Sequence, residues 1–303
     1  MISVIIPHFN QPDQLLRCLA SLGGQAAGGH DVEILVVDNG SDSLPEKEVA
    51  ACTRARLLRE EDPGPGPARN LGVAHARGEI LAFIDADCVA APGWLQSIAT
   101  HMSEGAEILG GDVRILHRDP ARPGIWEAYE SEFAYRMEHY IEKQGFTGTG
   151  NLAVRAAVMA DVGPFAGIGI AEDRDWGQRA TARGHRITWA PDMVAYHPAR
   201  ESFAELARKW DRHTAHDFAL YMQRPAGRLR WALRTILMAV SPLVSLWRIL
   251  RSSRIKGGLR GKLKAILGLV RVRLYRTRRM LGLLLSGAGD KGDGLETRWR
   301  EKP

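Results

Sequence analysis

Two carboxylates separated by one residue close an apolar run at Leu81-Ala82-Phe83-Ile84-Asp85-Ala86-Asp87. Ionised acids at the end of a buried segment are costly unless a cation or hydrogen bonds compensate them. A divalent ion sharing its shell with substrate phosphates would do so, because Mg²⁺ and Mn²⁺ prefer oxygen ligands. Taken alone the triplet is a weak signal, since a second stands at Asp173-Arg174-Asp175. Context separates them: Asp85 and Asp87 precede the turn Ala91-Pro92-Gly93, whereas Asp173 and Asp175 open a helical stretch that stops at Gly184. A turn or a helix cap is the plain alternative for Asp85 and Asp87. Two other apolar runs also end on polar groups, Pro7-His8-Phe9-Asn10 and Asp38-Asn39-Gly40-Ser41.

Placing these groups together requires a particular set of elements. Apolar, β-branched runs at 3–6, 32–37, 80–84 and 106–110 predict strands buried on both faces, and 12–22, 68–77 and 94–102 have helical length and spacing. Gly64-Pro65-Gly66-Pro67 predicts a loop before a helix that opens at Ala68. Strands alternating with helices predict α/β architecture with a mainly parallel sheet. In such a sheet a nucleotide binds at the carboxyl ends of the strands, where the three polar groups would gather.

The motifs 4–10, 34–42, 64–72 and 84–87 resemble, in order and spacing, the successive signatures of family 2 glycosyltransferases; Thr149-Gly150-Asn151-Leu152-Ala153 and Ala171-Glu172-Asp173-Arg174-Asp175-Trp176 resemble that family's acceptor-side motifs. The resemblance covers roughly residues 1–200 and implies a GT-A fold, Rossmann-like, with a basic C-terminal helical extension. It also implies an inverting, metal-dependent transfer from a nucleotide sugar to a glycan or lipid-linked acceptor. By it, Asp38 would hydrogen-bond the base, with Pro7, Asn10, Arg69, Asp85 and Ala86 around the nucleotide sugar. Asp87, Asp85 and His197 would hold Mn²⁺ or Mg²⁺, Asp173 would be the catalytic base, and Asn151, Glu172 and Trp176 would face the acceptor. A carboxylate can accept the imide N–H of uracil, which makes UDP the leading nucleotide. Against Asp173 as base, a helix's first turn favours acids anyway and lowers their pKa. Polymer-forming members carry Gln-x-x-Arg-Trp; Ala207-Arg208-Lys209-Trp210 lacks the glutamine, so addition of one sugar is expected.

The net charge of +6 conceals a division: residues 218–289 carry sixteen Lys or Arg and no acid, while 1–217 hold twenty-one basic and thirty-one acidic side chains. Such asymmetry points the tail toward a polyanion. Leu263, Leu267, Val270, Leu274, Leu281 and Leu284 form one helical stripe, with Lys264, Arg271 and Arg278 on another, as in helices that lie in a membrane interface. The uncharged stretch 235–247 is shorter than the roughly 18 residues of a span. The expected organisation is therefore a catalytic domain at 1–217, a basic amphipathic region at 218–289 on an anionic membrane surface, and a polar tail at 290–303. Three scattered cysteines, Cys18, Cys52 and Cys88, and no basic leader ahead of Ile2 suggest a reducing, cytoplasmic setting at the inner face of the membrane. A sugar nucleotidyltransferase is the competing enzyme reading, but its glycine-rich basic loop is missing from 7–12. A non-catalytic nucleic-acid binder is the competing reading of the tail, and the leucine stripe argues against it.

Overall fold

The computed structural model describes residues 1–168 and 171–286. The expected polar tail at 290–303 and Gly169 lie outside the described residues. The chain runs β1 (Ile2–His8), α1 (Pro12–Gly23), β2 (Val32–Asp38), α2 (Glu46–Ala50), β3 (Ala55–Arg59), α3 (Pro65–His75), β4 (Ile80–Ile84), β5 (Val89–Ala90), α4 (Trp94–Ser103) and β6 (Ile108–Leu116). It continues through α5 (Ile125–Phe133), α6 (Met137–Gln144), β7 (Asn151–Arg155), α7 (Ala156–Val162), α8 (Glu172–Ala182), β8 (Ile187–Pro198), α9 (Phe203–Met222), α10 (Gly227–Arg251) and α11 (Gly258–Ser286).

Two compact units form. The first, residues 1–114 and 135–197, is built on a sheet of strand order β3-β2-β1-β4-β7-β6-β8-β5. The first four strands in that order are parallel, β7 runs antiparallel to β4 and β6, and β5 antiparallel to β8. Alternation along β1 explains the layering. Val4 and Ile6 point into a core with Leu15, Leu19 and Leu22 of α1 and with Trp94 and Ile98 of α4. Ile5 points the other way, into a core with Phe83, Met159, Phe165 and Trp176. Both faces are covered, which is why these strands read as near-continuous apolar runs.

Helix α3 begins at Pro65, not at Ala68 as the sequence predicted, because Pro65 stands at the first helical position, where no N–H is needed. Gly64 precedes it at φ 122°, a conformation closed to most side chains, and Gly66 lies so near the Ala166 carbonyl that a Cβ would sit 2.0 Å from its oxygen.

The second unit joins residues 115–134 to residues 198–286. The division expected after residue 217 falls within α9. Tyr129 of α5, Leu206 of α9, Ile249 of α10 and Leu269 of α11 share one core; Phe218, Trp231, Met238 and Met280 share another. Among the described residues, α10 is the one helix long and apolar enough to cross a membrane, with mean hydropathy 1.5 over its best window. The sequence treated Pro242 as an interruption. The helix continues through it because the Ser241 hydroxyl donates to the Met238 carbonyl, which Pro242 leaves without a backbone partner, at 2.7 Å.

Candidate active site

The parallel register sets His8 of β1 beside Asp38 of β2, and β4 runs directly into Asp85. A cleft of about 250 Å³ opens here, lined among others by Pro7, Phe9, Gln11, Asn39, Arg69, Asp85, Ala86, Asp87, Glu172 and His197. It brings most of the expected site residues together.

Arg69 is the hub. Its guanidinium, 3% exposed, donates to Asp85 Oδ1 at 2.7 Å and to Glu172 Oε1 at 3.0 Å. Burial works against its charge, but the two carboxylates outweigh burial and raise its pKa. One cation thus fastens the end of β4 to the start of α8, two segments far apart in sequence. Asn70, on the same helix, brackets Phe165 from both sides, donating to its carbonyl at 2.9 Å and accepting from its N–H at 2.8 Å.

Asp173 follows Glu172 in the first turn of α8. The sequence expected a helix terminus to lower its pKa. Instead burial, followed by the neighbouring Glu172 and Asp85, pushes it up to about 6 against the opposing effects of the Arg174 N–H and Arg69. The local field of two carboxylates and lost hydration overrides the dipole. Arg174 N–H occupies Oδ1 at 2.7 Å. Asp175, by contrast, is spent on Arg179 one turn on, at 2.9 Å.

Asp87 Oδ2 lies 3.3 Å from His197 Nε2, and Cys88 completes a group whose ligand atoms all fall within 4.8 Å of one another. The Cys88 thiol is buried and its pKa is driven well up by burial and then by Asp87 and Asp85, so it stays protonated. That leaves Asp87 and His197 of this group as donors, with the Asp85 carboxylate, whose Oδ1 is held by Arg69, two residues before Asp87. Carboxylate oxygens and an imidazole nitrogen fit Mn²⁺ or Mg²⁺ completed by phosphate oxygens. The Tyr135 ring lies 4.8 Å from the His197 ring and supports it.

Several expected contacts are placed elsewhere. Asp38 is 2% exposed, with Oδ1 accepting from His8 Nδ1 at 2.9 Å and Oδ2 from the Ser41 N–H at 3.1 Å. The Gln11 N–H donates to His8 Nε2, which assigns the ring proton to Nδ1. Burial opposes the Asp38 charge, but the His8 and Ser41 bonds prevail and hold its pKa below the usual carboxylate range. Asp38 therefore stands behind His8 and orders the cleft floor. Asn10, at φ 51°, is bonded to Ser41 and Asp42. Asn151 is fully buried: it accepts from Trp94 Nε1 at 2.8 Å and donates both amide hydrogens to the Asp112 and Met193 carbonyls. Trp176 is a core residue, its indole N–H on the Gly163 carbonyl at 3.0 Å. Asn151 and Trp176 are internal for one reason: a motif residue on a buried strand or on the inner side of a helix faces the core and positions its neighbours.

Sequence reasoning missed Asn39, His8 and Asn70. Asn39 donates to the Glu60 and Asp62 carbonyls and accepts from Gly64 N–H at 2.6 Å, stapling the loop that delivers α3. Its place in Asp-Asn-Gly-Ser was the available signal.

Residues 3–160 match the sequence profile described as Glycosyl transferase family 2. The glycosyltransferase AglE of Haloferax volcanii is 36% identical over 215 residues, covering 69% of this chain and 70% of that protein. The pre-mycofactocin glycosyltransferase of Mycobacterium tuberculosis is 26% identical over 218 residues, 69% of this chain and 45% of that protein. Among solved structures, the mannosyltransferase PcManGT of Pyrobaculum calidifontis, in complex with GDP-Man and Mn²⁺, shares the fold at TM-score 0.57 and 18% identity, over 94% of this chain and 86% of that one. S. aureus TarS 1-349 in complex with UDP-GlcNAc shares it at 0.53 and 16%, over 96% and 93%.

Proposed function

The chain belongs to glycosyl transferase family 2, and from that premise we propose that it moves a single sugar, with inversion at the anomeric carbon, from a UDP-sugar to an acceptor hydroxyl. The observation that carries the reading is Asp173, a carboxylate with its pKa raised to about 6 beside the Arg69–Asp85–Glu172 cluster at the strand ends. A general base works best with a pKa near the operating pH, and at pH 7 this group is mostly ionised yet a far better proton acceptor than an ordinary aspartate.

Asp173 Oδ2 is the oxygen left to take the proton, since Oδ1 accepts from Arg174 N–H. As the acceptor oxygen bonds to the anomeric carbon from one side, the bond to the nucleoside diphosphate breaks on the other, and the leaving group departs with the electron pair. Asp87, His197 and Asp85 would hold the divalent ion, whose contribution there is to neutralise the charge of that diphosphate. Pro7, Phe9 and Ala86 supply the apolar wall against which a nucleotide packs. Solved proteins of this fold in complex with GDP-Man or UDP-GlcNAc support a nucleotide-sugar donor.

We also place the enzyme at the cytoplasmic face of a membrane, peripherally bound, in surface polysaccharide or glycolipid assembly. Two features support this. On α10, Leu229, Leu233, Ile236, Val240, Leu243 and Trp247 recur every three or four residues and are all exposed, on the side away from buried Trp231 and Met238. On α11, Leu263, Leu267, Leu274 and Leu281, four or seven residues apart, are likewise exposed on one side. Arg and Lys residues flank both stripes, which suits an anionic surface.

Incubating the protein with a panel of nucleotide sugars and Mn²⁺, and fixing the anomeric configuration of any product by NMR, tests the proposal. UDP-sugar turnover with inverted product is expected. A retained configuration, or turnover of sugar 1-phosphates with nucleoside triphosphates instead, overturns it.

A further inference from the structure

Among its described residues, the helical unit keeps positive charge inside itself without a paired counter-ion. Arg276 of α11 is 8% exposed, yet among the described residues it donates no hydrogen bond and joins no ion pair; its guanidinium lies 3.8 Å from the centre of the Trp210 ring on α9. The guanidinium of Arg273, one turn earlier, has among the described residues a single hydrogen bond, to the Met238 sulfur at 3.0 Å, a weak acceptor. The Nε atoms of both arginines and the indole Nε1 of Trp210 are buried without an acceptor. Unpaired buried donors are uncommon in native folds, and three in one cluster ask for an explanation.

The nearby acids are already engaged. Glu130 pairs with Arg200 at 2.5 Å, Asp217 with Arg234 at 2.7 Å, and Asp211 with Tyr275 and Arg279 at 2.9 and 2.8 Å. The surroundings respond to the excess. Burial and then Arg200 pull Lys209 down to about 8, burial and then Arg273 pull Arg276 down to about 10, and burial and then Lys209 pull His213 down to about 4. Tyr129 of α5 adds a phenol O–H kept neutral, its pKa pushed up to about 12 by burial. Cationic groups and neutral donors, with no spare acid beside them among the described residues, form the complement of an anion with several oxygens. A phosphate group, carrying up to two charges and three free oxygens, suits two guanidiniums and an indole N–H better than a singly charged carboxylate does.

We propose that Arg273, Arg276 and Trp210, between α9 and α11, form a binding site for a phosphate or diphosphate group, separate from the nucleotide-sugar cleft. The same chemistry is presented by a free phosphate anion and by the headgroup of a phosphorylated lipid. The site requires neither the donor nor the base assigned above, so it stands or falls apart from them.

Thermal unfolding of the full chain tests it, in EDTA so that metal-dependent diphosphate binding is silent, with inorganic phosphate, pyrophosphate or decyl phosphate added against sodium chloride at equal ionic strength. The wild type should unfold several degrees higher with a phosphate compound than with chloride. Arg276→Met should unfold higher than wild type in chloride alone, because an uncompensated buried charge has been removed, and should lose the phosphate response. A larger shift with decyl phosphate than with inorganic phosphate assigns the site to a lipid headgroup; equal shifts assign it to the free anion. No shift beyond the chloride control, or a full response retained in Arg276→Met, overturns the proposal. If that variant does not fold, Arg273→Gln carries the same comparison, Arg273 being the less buried of the two.

Discussion

Replacing Asp173 with Asn removes a proton acceptor while changing the side chain's shape little, and three quantities should respond together. The first is the chemical step. A positioned general base contributes about 10²- to 10⁴-fold, so kcat should fall by that order while UDP affinity stays close to wild type. The second is the pH profile. Because the catalytic form is ionised and the pKa is raised to about 6, wild-type activity should climb through a midpoint near pH 6, and the variant's residual activity should lose that limb. The third is stability. A carboxyl whose folded pKa lies above its ordinary 3.8 weakens the fold when ionised, and that penalty grows as pH rises through the interval between the two values and is complete above about 6. The shift corresponds to about 3 kcal/mol by the usual conversion, and partial exposure cuts it to roughly 1–2 kcal/mol. Asp173→Asn should therefore be more stable than wild type at pH 7, and equal to it near pH 3.5, where both side chains are neutral. Single-turnover transfer assays, nucleotide titrations and denaturant melts at the two pH values measure all three. A purely structural role as a first-turn acid, behind the Ala171 N-cap, predicts little change in rate and a small stability loss at pH 7 as the charge that suits the helix N-terminus is removed. Near-normal turnover in a folded variant would refute the catalytic assignment, and a stability loss at pH 7 would refute the electrostatic one.

Asp87→Asn should abolish transfer and weaken Mn²⁺-dependent UDP binding without unfolding the chain; full wild-type activity in EDTA would remove the metal role. Arg69→Gln should cost about 3–5 kcal/mol in denaturant unfolding at pH 7, because Asp85 and Glu172 then face each other without their shared cation. A loss under 1 kcal/mol would show that water takes its place. Leu237→Glu with Val244→Glu, at positions 66% and 79% exposed, should reduce cosedimentation with anionic vesicles while leaving turnover of a soluble acceptor unchanged. Equal vesicle binding by variant and wild type would rule out insertion of that face.

What was legible in the sequence follows from where the chemistry must sit. Asp85 and Asp87 could be found because an acid at the end of a fully apolar strand breaks a pattern, and the break is local. The same holds for the opening of α8 and for the leucine stripe of α11, which the structure leaves exposed except at Leu284, packed against the second core of the helical unit. The pairs that hold the site are not local. His8 meets Asp38 only because β1 and β2 are parallel in one register, and shifting that register by one residue would turn Asp38 to the opposite face. Arg69 joins Asp85 to Glu172, which are distant in sequence, so neither that pairing nor the raised pKa of Asp173 beside it could be inferred from the helix-dipole rule applied to residues 171–176 alone.

The second unit was harder to see for the same reason. Residues 115–134 belong with the segment after 198, so no boundary drawn at one point in the chain could describe it. Motif residues that proved internal make the complementary point. Asn151 satisfies a tryptophan and two carbonyls at the end of β7, and a Cβ on neighbouring Gly150 would lie 2.7 Å from Asp85 Oδ2. Their types are demanded by the packing that aims Asp85, which is a requirement as strict as contact with substrate. A pattern of residue types therefore identifies the neighbourhood of an active site more securely than it identifies which of its members touch the reacting atoms.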